Sequence, residues 1–120
     1  MSRTRALIVV ALVVVFVIVG GVIIYASTNK SGPKTITFNL TVTGGKAMSP
    51  SELKANHNDK ITINVTSDQE GEVHLHVYDI AFKVKPGETT SHTFTADKTG
   101  ECEIEWEETS TPLGTLTVSP

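Results

Sequence analysis

Val73–Gly87 reads V-H-L-H-V-Y-D-I-A-F-K-V-K-P-G, and its period of two decides how the chain folds. Successive side chains of a strand point to opposite sides. Val73, Leu75 and Val77 therefore share one face, and His74, His76 and Tyr78 the other. Ile80, Phe82 and Val84 continue the period, with Lys83 and Lys85 turned outward. Pro86-Gly87-Glu88 then supplies a tight turn, because proline is pre-set for its first central position. The stretch holds two of the four histidines, so any metal chemistry depends on what the rest of the chain sets beside them.

The same alternation recurs on both sides of it. Thr35–Thr43 places Ile36, Phe38, Leu40 and Val42 on one face and Thr or Asn on the other, and ends at Gly44-Gly45. A connection with helical character around Pro50–Ala55 follows, with His57 read as a solvated turn residue. Lys60–Thr66 alternates again, and Ser67–Gly71 is a turn. Downstream, Thr89–Ala96 is a β-prone strand with Phe94 inward, and Asp97–Gly100 is another turn. Cys102, Ile104 and Trp106 then point inward against Glu101, Glu103 and Glu105, Glu107–Gly114 is a loop, and Thr115–Val118 is the last strand. About seven short strands, with no stretch long enough for crossover helices, predict an all-β, antiparallel Greek-key β-sandwich.

The first quarter follows different rules. No charged residue occurs from Ala6 to Asn29, and residues 6–26 are almost wholly Val, Ile, Leu, Ala, Phe and Gly. That length suits one helical crossing of a bilayer, which needs about 20 apolar residues. Arg3 and Arg5 precede the run and assign residues 1–5 to the cytoplasmic side. Residues 6–26 are thus expected to be a single-pass signal-anchor helix in the lipid bilayer. Residues 27–34, small and polar with a Gly-Pro break, form a tether, and residues 35–120 an extracytoplasmic domain, periplasmic or extracellular. A cleaved signal peptide is the rival reading, though Ile24-Tyr25-Ala26 makes a poor cleavage site.

Charge and cysteine content narrow the function classes. The chain carries a net charge of −3, and both arginines lie before the apolar run, so the exported part is more acidic still. Nucleic acid, which requires a basic face, is excluded as a partner. The single cysteine, Cys102, leaves the domain without a disulfide and is itself expected to pack as a small core residue. Glu101, Glu103, Glu105, Glu107 and Glu108 read as a solvated edge that discourages strand-to-strand aggregation. No nucleophile has a base at a readable spacing and no glycine loop cradles phosphate, so an enzyme is not expected.

From Lys60 onward the order of parts resembles the cupredoxins, the blue-copper β-sandwich family. The matching pieces are Val73–Asp79, Lys85-Pro86-Gly87-Glu88, Thr93–Gly100 (T-F-T-A-D-K-T-G), Glu101–Trp106 and Pro112–Val118 (P-L-G-T-L-T-V). The chain is similar to the small cupredoxin-like domains found behind a single anchor or signal in bacteria. The resemblance implies one histidine ligand at His74 or His76, and a Cys, a second His and a Met near the last loop. Counting from Gly100, Trp106 stands at the family's cysteine position, Thr109 near the second histidine and Leu113 at the methionine. Blue copper needs a thiolate with two imidazoles, so the resemblance implies that this site is lost.

Two readings of the histidines remain. His74 and His76, two residues apart on a strand, project together and can chelate one ion, and His92 would complete a three-imidazole site if it lies on the adjacent strand. Imidazole suits copper or zinc, and Asp79 is then a candidate acceptor for a ring N–H. Otherwise the His-x-His-x-Tyr face is covered by a loop and hydrogen-bonded there. The sequence accordingly predicts a membrane-anchored binding or accessory module with no bound cofactor, meeting a membrane or exported protein partner. The alternative is a copper or zinc handling protein, and electron transfer is third.

Overall fold

The computed structural model describes residues 32–120. The expected anchor, residues 6–26, lies outside the described residues, as do residues 1–5 and most of the tether. No helix among the described residues is long and apolar enough to cross a membrane. Among the described residues nine strands form: β1 (Thr35–Thr43), β2 (Ala47–Ser49), β3 (Glu52–Asn56), β4 (Lys60–Ser67), β5 (Gly71–Leu75), β6 (Ile80–Val84), β7 (Thr89–Thr95), β8 (Gly100–Trp106) and β9 (Thr111–Ser119). They make a four-stranded sheet A in the order β2-β1-β4-β7 and a five-stranded sheet B in the order β3-β9-β8-β5-β6.

The sheets face each other through the apolar halves of the alternating strands. Along β1 every second residue is buried, and Phe38, Ile63, Phe82 and Leu116 are each at most 1% exposed. At about 25 cal/mol per Å² of apolar surface removed from water, this layer is the main stabilising term of a domain without cross-links. The chain passes between sheets at both edges, from β2 to β3 on one side and from β6 to β7 on the other. At one end the buried carboxylate of Asp59 accepts the backbone N–H groups of Lys34 (2.9 Å) and Asn56 (2.8 Å). Those bonds satisfy a charge withdrawn from water and fix the start of the domain against the turn before β4.

The architecture corrects the sequence reading in three respects. The described residues form nine strands, not about seven, because β2 and β3 replace the expected helical connection; Leu53 and Ala55 are buried in period two along β3. The sheets are mixed, since β1 pairs parallel to β4 and β3 parallel to β9. Parallel neighbours need a crossover of a dozen or more residues, usually helical; here the 16 residues between Thr43 and Lys60 make it with two strands. Finally, β9 begins at Thr111, four residues before the expected start. Glu105 pairs with Pro112 and Ile104 with Gly114, leaving Leu113 as the extra residue of a bulge. A proline without an N–H is tolerated at such an irregularity.

Val73–Gly87 folds as the hairpin its pattern requires, with one difference at the tip. β5 ends at Leu75, and His76–Asp79 form a four-residue turn in which Val77 (φ 77°) and Asp79 (φ 51°) are left-handed. Val77 is consequently 52% exposed instead of inward. Tyr78 turns toward the core, its ring 4.9 Å from Phe94, and its hydroxyl donates to the carbonyl of Lys98 at 2.7 Å.

Candidate metal centre

Among the described residues two places bear on metal binding, and strand pairing separates them. The first is the end of the sandwich where β5 begins and β8 finishes. Val73 pairs with Trp106, and both face inward. Trp106 is 4% exposed and lies between two glycines. A Cβ on Gly45 would lie 2.7 Å from the indole, and one on Gly71 would lie 2.3 Å from it. β8 and β9 are joined by a four-residue turn, Glu107–Ser110, which offers no Cys, His or Met. Leu113 is buried in its bulge. Cys102 is buried further down β8, where burial pushes its thiol up against a smaller opposing pull from Lys98. This end of the sandwich thus presents an indole, the hydroxyls of Thr109 and Ser110 and an aliphatic side chain, and these residues do not fit a blue-copper centre, which needs a thiolate with two imidazoles.

The second place is the outer face of sheet B. His74 pairs with Glu105, and both project away from Trp106 and the core. The rings of His74 and His76 meet edge to face with centroids 4.5 Å apart. A His74 Nε2–H donates to Asp79 Oδ1 at 2.8 Å across the hairpin turn. Its Nδ1 is buried without a hydrogen-bond partner, 3.7 Å from Glu107 Oε1. The Asp79 bond raises the His74 pKa above its ordinary value of 6.5; burial opposes the rise, and Glu107, Asp79 and Glu72 add to it through their charge.

His76 is held differently. Its backbone N–H donates to the carbonyl of Glu103 at 2.9 Å. Its Nε2 contacts Glu105 Oε1, and the Glu105 side chain is only 13% exposed. One donor atom each from His76, Glu103 and Glu105 lie within 4.8 Å of one another. His92 belongs elsewhere. It sits opposite Ile63 on β7 in sheet A, and its ring meets Phe82 edge to face at 4.9 Å. Phe82 is on the core side of sheet B, so His92 and the His74–His76 pair lie on opposite sides of that sheet.

The structure therefore brings together His74 and His76 but not His92. It adds Glu103 and Glu105, which the sequence reading left as a solvated edge. That reading is corrected by the strand order: β8 lies between β9 and β5, not at an edge. The available signal was the pair of period-two patterns, H-x-H and E-x-E-x-E, but which strands become neighbours is not written in either.

A sequence profile of the cupredoxin-like domain matches residues 12–118. The chain belongs to the cupredoxin-like family. Solved structures of similar fold include a chain of a heme-copper terminal oxidase dimer, 15% identical, with 98% of this chain and 99% of that one covered at a TM-score of 0.60. Another is a copper binding protein in its apo form, 15% identical over 74% of this chain and 98% of that one, also at 0.60. The copper-containing nitrite reductase of Thermus scotoductus is 18% identical, covering 72% of this cupredoxin-like chain and 28% of the reductase, at 0.54. At these identities the likeness is one of fold. No curated protein sequence matches.

Proposed function

We propose that this protein is a membrane-tethered, extracytoplasmic cupredoxin-like module that binds a divalent transition metal, copper or zinc, for handling or delivery. The uncharged run over residues 6–26, with Arg3 and Arg5 before it, supports the tether and its orientation. One observation carries the metal reading: on the outer face of sheet B imidazole nitrogens lie against carboxylates, with donor atoms of His76, Glu103 and Glu105 within 4.8 Å of one another, while the Trp106 indole fills the end of the sandwich where β8 finishes. Imidazole and carboxylate donors suit Zn(II) and Cu(II). Electron transfer through blue copper finds no support in this donor set. Binding without catalysis is the simpler function, since neither place holds a nucleophile beside a base.

Titrating Cu(II) into the full-length chain in detergent tests this. The expected result is saturable binding with only weak visible absorption, as nitrogen and oxygen donors give. Intense thiolate-to-copper absorption, or no saturable binding of Cu(II) or Zn(II), would overturn it.

A further inference from the structure

Within that metal-binding reading, on which this step rests, we propose that the ligands are His76, Glu105 and Glu103, and that His74 lies outside the set as the residue that fastens the hairpin turn. The three donor atoms already lie within 4.8 Å of one another. An ion bound at 2.0–2.2 Å in tetrahedral geometry separates its donors by about 3.4 Å. The adjustment to that spacing falls to the side chains, each of which turns about rotatable bonds. The backbone is also well fixed, since β8 is paired on both sides and carries two of the three ligands. The third is tied to β8 by its own N–H on the Glu103 carbonyl. A constellation on paired strands keeps its geometry better than one on a free loop.

His74 is aimed at other groups. Its Nε2–H is spent on Asp79 Oδ1, and its Nδ1 is buried facing Glu107. Both nitrogens thus have carboxylate neighbours that are not members of the triad. Asp79 closes the same turn that holds Val77 and Asp79 itself at positive φ, so the bond fixes a left-handed segment that a β-branched residue resists.

The donor set also selects the ion. One imidazole with two carboxylates suits Zn(II) or Cu(II); Cu(I) prefers sulfur, and Ca²⁺ takes six or more oxygens. Three protein ligands leave a fourth position open. An open position lets a donor or acceptor molecule add a ligand before the ion leaves, as delivery requires.

Calorimetry of Zn(II) binding to the full-length chain in detergent, repeated with variants, tests the assignment. Wild type should bind one ion per chain. His76→Ala and Glu105→Gln should weaken binding beyond the roughly 10–100-fold that loss of an outer-shell partner costs. Glu103→Gln should weaken it by at least about tenfold, and His74→Ala by less than that. Because His74→Ala removes the turn's fastening and can perturb folding, imidazole NMR of the wild type gives an independent reading: Zn(II) should shift the His76 ring signals and spare those of His74. Equal loss in His74→Ala and His76→Ala, with both rings shifted, would overturn this ligand set and leave the metal-binding reading standing. Absence of any Zn(II) or Cu(II) binding by wild type would remove both.

Discussion

Trp106 shows at the scale of one residue how the end of the domain is closed. Its indole takes up the space at the end of β8, and Gly45 and Gly71 are glycines there because a Cβ would enter the ring. Gly71→Ala should therefore destabilise the domain by roughly 1–3 kcal/mol, the usual cost of overpacking a filled core, and a lowered urea midpoint at unchanged slope measures it. Cys102 is the complementary case. Thiolate is the reactive form, and burial raises the thiol above its ordinary 9.0 while removing it from solvent. A thiol reagent at neutral pH should leave the native protein untouched and label Cys102 only on denaturation. That Cys102 faces the core was legible in the alternation along β8. The pairing of His76 with Glu105 was not, because it depends on the register between strands about thirty positions apart.

At the scale of elements, the β5–β6 hairpin and the central strand β8 build the acidic outer face between them. The hairpin's turn is pinned by the Asp79–His74 bond. Since Asp79 is largely exposed, the bond contributes under about 1 kcal/mol, so its loss should loosen the turn without unfolding the domain. Asp79→Asn should speed amide exchange at Val77–Ile80 and leave β8 protected. Strands such as β1 and β4 were legible because each alternates over seven or more residues. β2 and β3 escaped notice because they are three and five residues long and flank Pro50. A short strand takes its stability from its neighbour more than from its own propensity, and β3 gets that from β9. Val77 was misplaced for a related reason: the turn overrides the period where β5 runs out.

For the whole molecule, a sandwich without disulfides depends on its core, and burial favours the neutral form of two groups, Cys102 within the core and Tyr78 packed against it. Burial raises Tyr78 above its ordinary 10.0 as it raises Cys102 above 9.0. A raised folded-state pKa means the unfolded chain releases its proton first. The stability these groups contribute is then complete below about pH 9 and lost as pH rises through the folded values. The melting temperature should accordingly fall on the alkaline side, and Tyr78→Phe should flatten that fall while lowering stability at neutral pH by about 1 kcal/mol through the lost bond to Lys98. The same sandwich presents an imidazole and carboxylates sideways on sheet B and closes the end where β8 finishes with the Trp106 indole. Electron paramagnetic resonance of the full-length chain carrying one equivalent of Cu(II) tests that division most directly. The account predicts the wide copper hyperfine splitting of a nitrogen and oxygen site with coupling from one imidazole, lost in His76→Ala; the narrow splitting of a thiolate-bound copper would contradict it.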